Sequence, residues 1–284
     1  LGVLMLAVVG QPFYVLFDGY TAIYNYQSNT TYSSIRLYGS LGYAIGALIA
    51  GYLTKHIGYQ FVFYGSSFFF MMLSLILYWI KPLTLQEELT QKADVKALVK
   101  NKNYLKFAIF YVISLSTLFS GDAFLGTYFE FKGLGSDIFG IVTFIGVILE
   151  IIVLAVYAKY GKRFKLTYVM LSIVLANVVR FFIFSLDVGN ILMIGVSFIR
   201  AFTMAGLLFI GIEYMGRNVN KKNITLGIML YSSLRLLMQA VFVFSGGYFI
   251  VSFGYYSFYL VVAIISSIAL VFIDYKVKHD IINE

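Results

Sequence analysis

The chain has 284 residues, of which 61% are hydrophobic and only 12% charged, with a mean hydropathy of +0.87 and a formal net charge of +8. Soluble domains run at roughly 45–50% apolar and ~25% charged, so a water-soluble protein of this length cannot hide so much apolar surface in its core. A soluble enzyme, a nucleic-acid-binding domain and a disordered chain are excluded, and a polytopic membrane protein remains, with room for about nine or ten spans of ~20 residues plus turns.

In chain order, apolar runs separated by polar or basic breaks predict nine helices, at 1–25, 36–54, 60–80, 104–130, 137–158, 166–186, 190–215, 224–250 and 255–275. The runs are continuously apolar rather than alternating, which is the pattern of helices and not of a barrel. The first run opens on Leu1-Gly2-Val3-Leu4, with no initiator Met and no basic signal region, and reads as the start of a truncated or processed chain. The second carries Gly39, Gly42 and Gly46, and the last two form a GxxxG pair of the kind that lets helices approach closely. After the third run comes the long polar stretch KPLTLQEELTQKADVKALVKNKN at 81–103, a linker whose later part reads as a short surface helix.

Lysine and arginine fall on alternate loops. One side holds Lys81, Lys92, Lys96, Lys100, Lys102, Lys106, Lys159, Lys162, Arg163, Lys165, Arg217, Lys221, Lys222, Lys276 and Lys278, and the other only Lys55 and Lys132. Such a bias sets the basic loops and the C-terminus in the cytoplasm, with the chain in the cell membrane. There is no cysteine, and His56 and His279 lie at the ends of apolar runs, so neither a metal site nor a cofactor is expected.

Two ordered internal matches point to a duplication. Ser33-Ser34-Ile35-Arg36-Leu37 returns as Ser232-Ser233-Leu234-Arg235-Leu236, and Gly51-Tyr52-Leu53 through Gly58-Tyr59 as Gly247-Tyr248-Phe249 through Gly254-Tyr255. Repeated helical halves are a mark of secondary transporters. The organisation expected is the remainder of an N-terminal bundle at 1–80, a cytoplasmic linker at 81–103 and a six-helix bundle at 104–284. Two six-span repeats would make this nine of twelve transmembrane helices.

Charges inside the spans carry the functional signal, because each costs roughly 2.5–3.5 kcal/mol at mid-bilayer on insertion scales. They are Asp18, Arg36, Asp122, Glu150, Arg180, Arg200 and Arg235, with Glu213 nearer a span end. Such groups are expected to pair and to face a water-filled path; the competing reading is interfacial snorkelling, favoured for Glu213.

Three segments resemble the major facilitator superfamily, and within it the lactose-permease-like branch: Gln11-Pro12-Phe13-Tyr14-Val15-Leu16-Phe17-Asp18 with Ser34-Ile35-Arg36-Leu37-Tyr38-Gly39-Ser40-Leu41-Gly42-Tyr43; the basic loop Ala158-Lys159-Tyr160-Gly161-Lys162-Arg163; and the polar pattern of the last six spans. The resemblance implies a major-facilitator-type helical bundle. It implies that Asp18 and Arg36 hold a sugar-like solute and that Tyr43 stacks on its ring, where the family usually has Trp. It also implies a proton-coupling charge network of Asp122, Glu150, Arg180, Arg200 and Arg235, with Arg235 the basic partner of Asp122. Two departures bear on coupling: Thr203 stands at the family's span-ten carboxylate position, and Val147 at its span-eight one, with Glu150 a turn away.

The function expected is therefore secondary active transport of a small polar solute, a sugar or nucleoside, by alternating access and proton symport, with no enzymatic activity. The partners expected are that solute, protons and the lipid bilayer, with no nucleic acid, and the expected state is a monomer. Efflux of drugs or metabolites by antiport, and a truncated non-transporting membrane protein, are the alternatives.

Overall fold

A chain in hydrocarbon must satisfy its backbone hydrogen bonds within each span, and in the computed structural model, which describes residues 32–79, 95–219 and 223–273, all regular structure among the described residues is helical. The helices are α1 (Tyr32–His56), α2 (Tyr59–Trp79), α3 (Val95–Lys100), α4 (Lys102–Ala123), α5 (Leu125–Phe131), α6 (Ser136–Tyr160), α7 (Leu166–Phe184), α8 (Asn190–Ser197), α9 (Ile199–Asn218) and α10 (Ile224–Ile268), with 3₁₀ turns at Gly161–Arg163 and Ala269–Phe272. The chain is an all-α, multi-pass membrane protein. The predicted span at 1–25, with Asp18, lies outside the described residues, as does the side chain of Arg36.

Two predicted spans are each built from two helices, 104–130 as α4 and α5 meeting at Phe124, and 190–215 as α8 and α9 meeting at Phe198. The short helix expected in the linker is α3, whose Leu98 is buried against α4. Asn101 then caps α4, its side chain accepting from the backbone N–H groups of Asn103 and Tyr104.

The 45 residues of α10 would run about 67 Å as one rod, against a hydrocarbon core of ~30 Å. Gly254, with φ +82° and ψ 170°, breaks it into two crossings. Gly58, which joins α1 to α2, has φ +104°. These are the matching glycines of the internal repeat, and both adopt a left-handed backbone that a Cβ disfavours. Gly254→Ala is expected to destabilise by about 1–2 kcal/mol, a few degrees in unfolding temperature. Gly247→Ala is the control, since its Cβ would meet nothing within 4 Å and its φ is ordinary. Equal midpoints for the two variants in detergent would count against a strained turn.

Two aromatic-rich cores fill the bundle. One gathers Tyr104, Phe107, Tyr111, Met170, Ile173, Leu207, Tyr214 and Tyr231; the other Leu125, Tyr128, Phe129, Phe181, Phe184, Phe258 and Tyr259. Phe107 and Tyr214 stack at 3.9 Å. Four buried tyrosine hydroxyls donate to backbone carbonyls, Tyr104 to Gly227, Tyr128 to Phe184, Tyr214 to Asn103 and Tyr259 to Gly121, so these four rings fill apolar space without stranding a polar atom.

The two sides of the linker meet where α1 packs along α6. Ser40, Ala44 and Gly51 form the buried stripe of α1. A Cβ on Gly51 would lie 2.7 Å from the Ser136 carbonyl oxygen and 2.9 Å from the Gly140 Cα. The close approach seen is thus Gly51 on Gly140, whereas among the described residues nothing lies within 4 Å of a Cβ on Gly39, Gly42 or Gly46. Small residues thus occupy two faces of α1: α6 meets the one that carries Ala44 and Gly51, and the GxxxG face has no packing partner among the described residues.

Candidate functional site

Between the two aromatic cores lies a layer of charge. On α4, Asp122 follows the last residues of the first core and precedes Leu125 of the second; Arg180 stands in the same relation on α7, and Arg200, at the start of α9, follows Val196 of the second core and precedes Met204 of the first. Arg180 is wholly buried, and its Nη2 donates to Asp122 Oδ1 at 2.6 Å. Arg200 Nε donates to Asp122 Oδ2 at 2.7 Å, and its Nη1 to Glu150 Oε2 at 3.3 Å. Asp122 therefore engages two guanidiniums, one per carboxylate oxygen, and Arg200 bridges both carboxylates. Charges this deep persist because each is paired and hydrogen-bonded. Arg180 Nε and Nη1 have no hydrogen-bond partner among the described residues. Its guanidinium instead lies 5.1 and 5.3 Å from the ring centres of Phe181 and Phe184, where the ring faces offset part of the cost.

The layer forms one wall of a cavity of about 290 Å³. Asp122 and Arg200 line it with Ser197, Thr143 and Gln239, and Tyr43 of α1, Phe119 and Phe139 line it as well. Of the residues expected to bind solute, Tyr43 is at the cavity. Of those expected in a charge network, Asp122, Glu150, Arg180 and Arg200 come together.

Arg235 does not pair with Asp122. Its Nη1 donates to Gln239 Oε1 at 2.7 Å, one turn along α10, and its guanidinium lies 5.1 Å from the Phe119 ring centre. The reason is lateral. The oxygens of Asp122 are taken by Arg180 and Arg200, which α7 and α9 present to α4. Sequence depth alone left three arginines competing for one aspartate. Glu213, read as interfacial, pairs with Arg217 one turn on at 2.6 Å.

A second set of polar contacts ties the opposite end of the bundle. Lys132 and Tyr256 both donate to Asp187 Oδ1 at 2.6 Å, and Lys55 of α1 meets Asp137 of α6 at 2.7 Å. Tyr59 donates to Glu130. The two lysines isolated by the charge bias are thus both paired, which spacing did not reveal. The Lys132 ammonium, and then the Tyr256 hydroxyl, hold the Asp187 carboxyl below its usual range. The same bond to Asp187 holds Lys132 above its own. The depressed carboxylate contributes stability above its unfolded value of ~3.9, lost as pH falls through the lower folded value; the lysine contributes below ~10.4, lost as pH rises through its raised one. Asp187→Asn is expected to lower the unfolding midpoint slightly and evenly from about pH 5 to 10, and the difference should close towards pH 3. A difference unchanged at pH 3 would argue against the ion pair.

Comparison with known families gives a match that runs along residues 1–272, nearly the whole chain, to the MFS_1 like family. The chain belongs to this family. It is also 26% identical, over 140 residues, to a Bacillus subtilis (strain 168) protein described as the uncharacterized transporter YwbF. That stretch is 48% of this chain and 34% of the relative, so the chain spans about a third of the length of the relative it matches.

Within this member of the MFS_1 like family, Val147 is buried, and Glu150, one turn further on α6, reaches Arg200. Thr203 is buried and donates to the Arg200 carbonyl, one turn back on α9. The basic loop is the 3₁₀ turn Gly161–Arg163, where Lys159 and Arg163 flank the Tyr160 ring at 5.3 and 5.9 Å. The cavity-lining Thr143, Ser197 and Gln239 were not singled out from sequence. Their signal was a lone polar residue in an apolar run, which many structural hydroxyls share.

Proposed function

We propose that the protein is a secondary transporter that carries a small polar solute of the sugar or nucleoside class across the cell membrane by alternating access, as a proton symporter. The observation that carries this reading is the buried Asp122–Arg180–Arg200–Glu150 layer against a cavity that Tyr43, from the other side of the linker, also lines. A soluble-like core has no use for four ionised groups at this depth; a path for a hydrated solute and a proton does.

In this reading the solute sits against Tyr43, with Asp18 accepting from its hydroxyls and Arg36 donating to them. Asp122 and Glu150 are the candidate proton carriers. Both bond Arg200, so protonating either frees the guanidinium from one partner and lets the layer rearrange as access changes sides. The seam of α1 on α6 is then the surface along which the halves rock. The basic loops and the C-terminus lie in the cytoplasm by the lysine and arginine bias.

Uptake of labelled hexoses and nucleosides into vesicles carrying the full-length protein tests this. Uptake is expected to rise with an imposed inward proton gradient and to fall strongly in Asp18→Asn. Flux indifferent to the gradient removes symport, undiminished flux in Asp18→Asn removes that binding site, and export from loaded vesicles in place of uptake favours antiport.

A further inference from the structure

We infer that the solute carries an anionic group, a carboxylate or a phosphate, and that Arg235 binds it. The inference rests on the transporter reading and narrows its substrate class.

The argument is a charge balance. Of the thirteen carboxylates in the sequence, Asp18, Asp122 and Glu150 fall at depth within spans. Glu130, Asp137, Asp187 and Glu213 engage Tyr59, Lys55, Lys132 and Arg217 away from the cavity. The remaining six lie in the polar linker and the C-terminal tail. Against the deep carboxylates stand Arg36, Arg180, Arg200 and Arg235. Among the described residues, two deep carboxylates, Asp122 and Glu150, stand against three guanidiniums, Arg180, Arg200 and Arg235.

The geometry says which cation is in excess. Asp122 and Glu150 are engaged by Arg180 and Arg200, and Arg235 has no carboxylate within ion-pair distance among the described residues. It is not a snorkelling residue: eleven residues into α10, it sits about 16 Å along the helix, midway through a ~30 Å core. An arginine at that depth with only a neutral partner is costly unless an anion offsets it.

Arg235 also stands in the right place. Its hydrogen-bond acceptor, Gln239, and the ring beneath it, Phe119, both line the cavity. The Gln239 amide oxygen caps Nη1 at 2.7 Å and can swing aside on its own side-chain torsions. A carboxylate or phosphate oxygen entering from the cavity takes that position and gains a charge-assisted, two-point contact with the guanidinium. Phe119 keeps the guanidinium plane fixed from below. The sugar or nucleoside moiety then lies towards Tyr43.

The test uses matched neutral and anionic probes with the full-length protein in proteoliposomes: glucose against glucuronate and glucose 6-phosphate, and uridine against uridine 5′-monophosphate. At least one anionic member is expected to be taken up about tenfold or more faster than its neutral parent at equal concentration. Arg235→Gln is expected to erase that preference, and Arg235→Lys, which keeps the charge, to retain most of it. Should Arg235→Gln not fold, the wild-type preference and its partial retention in Arg235→Lys still decide the matter. Uptake of the neutral parents at rates equal to or above their anionic partners overturns the inference and leaves the transporter reading standing, as does anion uptake unchanged in Arg235→Gln. Uptake of none of the five compounds overturns the transporter reading and this inference with it.

Discussion

Asp122→Asn is expected to destabilise the protein by about 3–5 kcal/mol, the range for removing one partner of a buried ion pair. Asp122 is the only carboxylate bonded to the wholly buried Arg180 among the described residues, and it holds Arg200 as well. An asparagine keeps one carbonyl oxygen but turns an amide donor towards the other guanidinium, so Arg180 loses its counter-charge, Arg200 keeps only Glu150, and one of the two loses a bond. Glu150→Gln should cost much less, because Arg200 keeps Asp122 at 2.7 Å. Adding Arg180→Met to Asp122→Asn should recover part of the loss, since it removes the stranded buried charge. Unfolding midpoints of the three variants in detergent check the order. An Asp122→Asn midpoint equal to that of Glu150→Gln would mean that Asp122 is not the centre of the layer.

Gly140→Leu is expected to force α1 away from α6. The first atom it adds would fall 2.9 Å from the Ala47 carbonyl oxygen and 3.1 Å from the Gly51 Cα. Those are backbone atoms, so no rotamer change relieves the contact and the helix itself must shift, at a cost of roughly 1–3 kcal/mol. Movement there also strains the Lys55–Asp137 ion pair and the hydrogen bond from Ser136 Oγ to the Gly51 carbonyl. The sequence contains no cysteine, so Ser136→Cys provides a labelling site without background. Its rate of modification by a membrane-impermeant thiol reagent should rise at least about tenfold when Gly140→Leu is added, corresponding to ~1.4 kcal/mol in favour of the open seam. Gly46→Leu should leave the rate unchanged, because among the described residues its Cβ would meet nothing within 4 Å. Equal labelling in the two backgrounds would show that the glycine pair does not hold the seam.

Much of the scaffold was legible because the costs involved run along the chain. A polar backbone in hydrocarbon must be helical, so spans follow from apolar runs of sufficient length, and the described helices fall within a few residues of those runs. Buried charge is expensive wherever it points, so Asp122, Glu150, Arg180 and Arg200 stand out by position before any contact is known. The duplicated Gly58 and Gly254 are legible for a similar reason. Each follows a matching stretch, and each has the positive φ that only glycine adopts freely.

The partners were not legible, because pairing depends on the rotation and lateral order of helices, which hydropathy does not encode. The family resemblance paired Arg235 with Asp122, and it is the packing of α7 and α9 against α4 that gives Asp122 to Arg180 and Arg200 and leaves Arg235 beside Gln239. On α1, Gly42 and Gly46 satisfy a close-packing pattern as well as Ala44 and Gly51 do, and only the position of α6 distinguishes the two faces. By itself, then, the sequence determined an all-helical membrane protein with a costly set of charges at depth, because burial costs are local to each residue. The tertiary structure decided which charges neutralise one another, which one is left over, and where the halves touch, because those outcomes depend on which helix faces meet.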